Sequence, residues 1–95
     1  MKGKKFDNGK LQWHLLPIRP LKQIVRVMQF GADKYGPFDW QRLKDPEERY
    51  YNALLRHIFA WREGEKLDPE TGIHHLAHAG ANIIFLLWFD NEKLS

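Results

Sequence analysis

The sequence predicts an all-α fold, a small bundle of three main helices. Apolar residues recur at helical spacing in three segments, and the stretches between them are punctuated by Pro and Gly. The tripeptide Asp-Pro-Glu, which favours the start of a helix, occurs at 45–47 and again at 68–70. No segment shows the alternating pattern of a strand. These features predict a single helical domain over residues 1–95.

The first half of the chain is predicted to contain an arm and one helix. Residues 1–16 carry Gly3 and Gly9 and no sustained period, so we expect an irregular basic arm. Beyond two prolines, a helix is expected over 20–34, where Gly36-Pro37 follows.

The second helix is predicted over 46–63. Asp45 is expected to cap it with its side chain, Glu48 to complete a capping box, and Gly64 to stop it. The third helix is predicted over 70–91. Because it is apolar on several sides, it should lie centrally or at a subunit interface, and so short a chain is expected to form a homo-oligomer.

Composition excludes several classes of protein. The chain has no Cys, so a disulfide framework and a thiol nucleophile are excluded. No run reaches the roughly 20 apolar residues of a membrane span, and the start lacks the apolar run of a signal peptide, so we expect a cytoplasmic protein with no membrane partner. The net charge is +3, with an excess of basic residues in 1–34 and of acids after it. This favours a small anionic ligand over duplex nucleic acid.

The third segment carries a polar stripe in an apolar setting. His75, His78 and Asn82 are spaced i, i+3 and i+7 and therefore share one side of a helix. Burying polar groups costs free energy unless they are paired or bind something. The stripe is consistent with internally bonded imidazoles, with substrate contacts or with metal ligands. A histidine here, such as His78, could act as a general base.

Acidic, basic and aromatic residues extend the candidate site. Glu65, Asp68 and Glu70 could hold Mg²⁺ through their carboxylates, although Asp68 also suits a helix cap and Glu70 a helix dipole. Arg56 could clamp a phosphate or pair with a loop acid, and His57 could touch substrate or fill the core. Contacts to phosphate or to a base could also come from a basic and aromatic set, although Trp40 also suits the core: Lys5, Lys10, Lys34, Tyr35 and Trp40.

An ordered set of segments resembles a family common in phages, the N-terminal domain of dATP/dGTP diphosphohydrolases. The match spans roughly residues 4–88. The segments that carry it are 5–10 (Lys-Phe-Asp-Asn-Gly-Lys), 15–17 (Leu-Leu-Pro), 30–36 (Phe-Gly-Ala-Asp-Lys-Tyr-Gly), Trp40, 53–57 (Ala-Leu-Leu-Arg-His), 64–72 (Gly-Glu-Lys-Leu-Asp-Pro-Glu-Thr-Gly), His75-Leu76-Ala77-His78 and Asn82.

The resemblance implies an all-α nucleotide-handling domain, related in character to MazG-like enzymes. Those enzymes use Mg²⁺ to split a nucleoside triphosphate into a monophosphate and pyrophosphate, usually as oligomers. By motif position, the resemblance places Lys10 and Lys34 at phosphates. It places around the site Arg56, His57, Glu65, Asp68, His75, His78 and Asn82.

The chain departs from the MazG-like pattern in its acids. Its second helix has Glu47 and Glu48 only at the start, and its third carries His and Asn where acids are typical. We therefore weigh three functions. The first is an Mg²⁺-dependent hydrolase of purine (deoxy)nucleoside triphosphates, with Glu65, Asp68 and His78 catalytic. The alternatives are a protein that binds such nucleotides without cleaving them and a structural helical subunit.

Overall fold

The computed structural model describes residues 8–94, with side chains described for 8–91. Three α-helices make up most of it: α1 (Ile18–Tyr35), α2 (Pro46–Arg62) and α3 (His75–Leu94). Two short 3-10 helices, Trp13–Leu15 and Asp39–Arg42, precede α1 and α2. The prediction of a small all-α bundle is confirmed, and homo-oligomerisation stays a prediction. The part of the predicted arm at 1–7, including Lys5, lies outside the described residues.

Helix α3 packs against both other helices and carries the most buried residues of the described chain. Tyr50, near the start of α2, contacts Phe89, near the end of α3, whereas His57 contacts His75 at the start of α3. Helices α2 and α3 are therefore antiparallel. Helix α1 comes closest to α3 at Gly80, where a Cβ atom would lie 2.7 Å from Ile24 Cδ1.

Gly64 ends α2 as the sequence predicts. Its φ of 107° lies in the region that favours glycine, and the Glu65 N–H donates to the Ala60 carbonyl at 3.0 Å, as in a Schellman motif. The start of α2 corrects a prediction. Asp45 precedes the helix with a φ of 52°, and its side chain makes no capping hydrogen bond. A capping side chain needs an extended backbone, which the left-handed conformation of Asp45 does not provide.

The predicted start of α3 at residue 70 is wrong, because the helix begins at His75. Asp68 does accept hydrogen bonds from the Glu70 and Thr71 N–H groups, as a helix cap would. The turn cannot continue as a helix because Gly72 has a φ of 73°. A tight loop results, closed by a hydrogen bond from the Asp68 N–H to the Ile73 carbonyl and by an isolated bridge between Leu67 and His74.

One side of α3 is uncovered in the single chain. Leu76, Ile83 and Leu87, which share this side, are 41%, 52% and 59% exposed. The sequence predicted that this helix would lie centrally or at a subunit interface. In the structure, the other sides of α3 contact α1 and α2. No helix within residues 8–94 combines the length and apolar character that crossing a membrane requires.

Candidate functional site

The polar stripe of α3 faces α2 and is buried. His75 is 3% exposed, His78 9% and Asn82 7%. The Nδ1 atoms of His57 and His75 lie 2.8 Å apart, and the rings of His57 and His78 stack at 4.4 Å, within 7° of parallel. Asn82 donates from Nδ2 to the His78 carbonyl at 2.9 Å. The structure therefore joins three imidazoles from two helices into one cluster.

Glu65 orients this cluster from the loop after α2. Its Oε1 lies 2.6 Å from Nε2 of His75. A carboxylate only accepts hydrogen bonds, so Nε2 of His75 carries a proton. With His75 neutral, its Nδ1 accepts a hydrogen bond and the Nδ1–H of His57 is the donor. Glu65, His75 and His57 thus form a hydrogen-bonded chain that runs inward from the surface.

The turn at 68–72 holds the other side of the cluster. Asp68 Oδ2 accepts from the Thr71 N–H at 2.9 Å, from the Glu70 N–H at 3.1 Å and from the Thr71 hydroxyl at 3.2 Å. The Thr71 hydroxyl also lies 2.7 Å from Nε2 of His78. Within residues 8–91, Asp68 Oδ1 has no hydrogen-bond partner. One carboxylate oxygen is therefore fixed while the other is available to a ligand.

The buried setting lowers the pKa of two histidines of the cluster. Burial, followed by the neighbouring His78, lowers the pKa of His57 from 6.5 to about 4. Burial also lowers the pKa of His78, although Asp68 opposes that shift. Burial acts to raise the pKa of Asp68, but hydrogen bonds from Thr71 outweigh it, so that the pKa of Asp68 is lowered. Near pH 7 His57 and His78 are therefore neutral and lie beside the ionised carboxylate of Asp68.

A cavity of about 720 Å³ opens between the three helices beside this cluster. Its volume is in the range typical of small-ligand sites. Three cationic side chains line it, Lys34 from α1 and Arg49 and Arg56 from α2. His57, Asp68 and His78 line it as well, so the cavity joins a cationic wall to the imidazole and carboxylate groups.

The sequence profile of the family described as dATP/dGTP diphosphohydrolase, N-terminal, matches residues 1–94. The chain belongs to this family. A dATP/dGTP diphosphohydrolase of Salmonella phage PMBT28 is 39% identical over 93 residues, which are 98% of this chain and 31% of that protein. The chain therefore spans about a third of the length of the relative. No solved structure matches the chain.

In this member of the diphosphohydrolase N-terminal family, most of the predicted site residues meet at the cavity. His75 does not line the cavity, but it contacts His57, which does. Glu65 contacts the site only through its hydrogen bond to His75. Lys10 is exposed in the segment before α1 and does not line the cavity. The predicted residues that line it are Lys34, Tyr35, Trp40, Arg56, His57, Asp68, Glu70, His78 and Asn82.

The three acids predicted to bind metal do not form one ligand set. Glu65 is bonded to His75, and Glu70 pairs with Lys34 at 3.3 Å on the surface. Only Asp68 belongs to the group whose potential ligand atoms lie within 4.8 Å of one another, and its other members are His57 and His75. The predicted set of three acids therefore stays a prediction, and in the structure Glu65 and Glu70 are paired with other side chains.

The structure bears on the alternatives that the sequence left open for Trp40 and Arg56. Trp40 stacks on Phe85 at 4.6 Å and meets Trp88 edge-on at 5.2 Å, so most of its ring packs within the protein. Arg56 is exposed and forms no ion pair within residues 8–91, which leaves it available to a ligand. The Tyr35 hydroxyl and then Glu70 raise the pKa of Lys34, so that this side chain is also charged.

Two residues of the site were missed from the sequence. Thr71 links Asp68 to His78, and Arg49 adds a third cation to the cavity. The Asp-Pro-Glu-Thr-Gly sequence contained a signal for Thr71, because Asp, Thr and Gly together favour side-chain-bonded turns. Arg49 is spaced seven residues before Arg56, which places both on one side of α2.

Proposed function

We propose that this domain binds a purine deoxynucleoside triphosphate in the cavity and takes part in its hydrolysis to a monophosphate and pyrophosphate. The single observation that carries the proposal is the meeting of Lys34, Arg49 and Arg56 with His57, Asp68 and His78 around one cavity. Family membership supports the nature of the ligand, because the phage relative is a dATP/dGTP diphosphohydrolase.

The cationic side chains of the cavity can bind the phosphates of the nucleotide, and an aromatic ring can stack on its base. Arg56 can hold two phosphate oxygens at once, and Lys34 and Arg49 add positive charge. Tyr35 lines the cavity and is 64% exposed, with the Lys34 ammonium over its ring at 5.2 Å. A purine could stack on this ring once Lys34 turns to the phosphates or on the face that Lys34 does not cover. Negative charge that builds up on the phosphates during hydrolysis would be stabilised by cations already in place.

His78 is suited to accept a proton from the attacking water. Its lowered pKa keeps it neutral at pH 7, as a general base must be. It would take that proton directly or through the Thr71 hydroxyl, 2.7 Å from Nε2. The water oxygen would bond to the α-phosphorus, the bond from that phosphorus to the bridging oxygen would break, and pyrophosphate would leave.

The matched variants Arg56→Ala and Arg62→Ala test the proposal. Both arginines are exposed on α2, but only Arg56 lines the cavity. We expect dATP or dGTP binding, measured by calorimetry, to weaken about 10- to 100-fold in Arg56→Ala, since a hydrogen-bonded charge contributes roughly 1.5–3 kcal/mol. Arg62→Ala should bind like the parent chain. Equal losses in both variants, or no binding by the parent, would contradict the proposal.

The second candidate function is nucleotide binding without cleavage. The separation of Glu65 and Glu70 from Asp68 favours it, because an acidic metal site of the MazG-like kind is not formed by these residues. Chromatography of the nucleotide after incubation with the chain distinguishes the two functions. Monophosphate and pyrophosphate in equal amounts, lost in His78→Ala, indicate hydrolysis. Tight binding with the triphosphate recovered intact indicates a binding protein.

A further inference from the structure

We infer that His57, Asp68 and His75 form a binding site for a divalent first-row transition-metal ion. The chemical class is that of Zn²⁺, Co²⁺ and Mn²⁺, in place of the Mg²⁺ expected from the resemblance. The site deepens the proposed function and depends on it for a catalytic role, because it adjoins the cavity proposed for the phosphates. Its metal affinity is independent of any nucleotide.

The three residues bring one potential ligand atom each within 4.8 Å of the others. The two Nδ1 atoms are 2.8 Å apart, and imidazole nitrogens bound to one ion at about 2.0–2.1 Å lie roughly 3.0–3.4 Å apart. A shift of a few tenths of an ångström would therefore fit the two imidazoles to an ion, provided that the His57 proton moves to its other ring nitrogen. Rotation of the Asp68 side chain would complete the ligand set.

Groups behind the ligands already hold them in the required orientation. Glu65 bonds Nε2 of His75 at 2.6 Å and so leaves the Nδ1 lone pair directed at His57. This carboxylate–histidine pairing is the usual support for a histidine that binds metal. Thr71 and the Glu70 N–H hold Oδ2 of Asp68, while Oδ1 has no partner within residues 8–91. Two ligands from separate elements thus have independent supports.

The donor set selects against Mg²⁺. Magnesium favours oxygen ligands, whereas imidazole favours zinc and other transition metals. The other two acids are engaged elsewhere, Glu65 with His75 and Glu70 with Lys34. Two imidazoles and one carboxylate are therefore the donors that the described chain brings together.

The placement of the cluster gives the ion an open side. His57 and Asp68 line the cavity, whereas His75 is 3% exposed and lies behind them. Three protein ligands with a further position left open are typical of catalytic rather than structural metal sites. Such an ion would supply a site for water or a phosphate oxygen next to Arg56.

Metal titration of the 95-residue chain, stripped with a chelator, tests the inference. We expect one equivalent of Zn²⁺ to bind at least 100-fold more tightly than Mg²⁺ by calorimetry, and Co²⁺ to give a visible absorption band of a nitrogen-ligated ion. Asp68→Asn should abolish both signals. Glu65→Gln should weaken Zn²⁺ binding about 10- to 100-fold, as loss of a supporting carboxylate does. Glu65 is 54% exposed, so this variant should still fold, which circular dichroism will show.

His14→Ala is the matched control, because His14 is an exposed histidine in the first 3-10 helix. It should bind Zn²⁺ like the parent chain. Equal affinity for Mg²⁺ and Zn²⁺, unchanged Zn²⁺ binding in Asp68→Asn and Glu65→Gln, or an equal loss in His14→Ala would overturn the inference. In that case Glu65, His75 and His57 would be joined by hydrogen bonds without forming a metal site. Zn²⁺ binding without dATP binding would reject the proposed function while supporting the metal site.

Discussion

Different rings pack between α2 and α3 at the two ends of this helix pair. At one end, Tyr50 of α2 meets Phe85 and Phe89 of α3, with centroids 4.9 and 6.1 Å apart. At the other end, His57 meets His75 and His78, at 5.1 and 4.4 Å. Rings therefore pack between the helices at both ends, and their chemistry differs.

The two ends differ in what the burial of their rings requires. Burying hydrocarbon rings is favourable in itself, whereas each buried imidazole nitrogen needs a hydrogen-bond partner. The loop after α2 provides those partners at the histidine end through Glu65 and Thr71. No buried side-chain nitrogen or oxygen within the described side chains lacks a partner. The aromatic end stabilises the pair, and the histidine end is free to carry chemistry.

The largest effect on stability is expected at the aromatic end, from Phe89→Ala. Phe89 packs against Tyr50, Trp40 and Trp88 but does not line the cavity. Because the ring is only half-buried, we expect a loss of about 2–3 kcal/mol in the free energy of unfolding, at the low end for a buried aromatic ring. Urea unfolding followed by Trp fluorescence measures it.

Phe59→Ala is the control for that change, since Phe59 lies on α2 and is 57% exposed. Its effect should stay within about 0.5 kcal/mol. The folded Phe89→Ala protein should bind dATP like the parent. If it binds dATP much more weakly although folded, the two ends are not separate in function.

A smaller loss is expected at the histidine end from Thr71→Val. Valine keeps the shape but removes the hydroxyl that contacts Asp68, His78 and the Ile73 N–H. We expect a loss of about 1–2 kcal/mol in the free energy of unfolding, because polar groups are left unpaired but water reaches some of them. Thr71→Ser retains the hydroxyl and should recover most of the loss. Equal stability of the valine and serine variants would show that the hydroxyl contributes nothing.

The aromatic and histidine ends differed in how far the sequence predicted them. The i, i+3, i+7 stripe correctly predicted that His75, His78 and Asn82 share one side of α3, because helical periodicity determines which residues face together. Periodicity does not specify the partner across the gap. The pairing of His57 with His75 depends on the register of two antiparallel helices, which the length of the intervening loop sets.

The loop itself was the hardest part to predict. Asp68 carries the local signal of a helix cap, and it does bond the N–H groups that follow. The left-handed backbone of Gly72 converts this start into a single turn. Local sequence did not reveal that Glu65 would turn toward His75, since residues ten positions apart meet only in the folded chain. The acidic metal set stays a prediction, and in the structure Glu65 and Glu70 have other partners.

The last effect we predict is a dependence of stability on pH that originates at the histidine end. The pKa of His57 is lowered from 6.5 to about 4 in the folded chain, and that of His78 is lowered as well. Between pH 6.5 and 4 the unfolded chain therefore binds protons that the folded chain excludes. The stability contributed by neutral histidine is complete above pH 6.5 and is lost as the pH falls toward 4. Asp68, whose pKa is lowered from 3.8, adds its own loss only at lower pH.

Urea unfolding in a chelating buffer from pH 7.5 to 4.5 measures the slope of the free energy of unfolding against pH. His57→Gln should reduce this slope and Phe59→Ala should leave it unchanged. A slope that is the same in His57→Gln as in the parent would mean that His57 titrates alike in the folded and unfolded chains. In that event the histidine end would be as open to water as a surface, and the contrast with the aromatic end would fail.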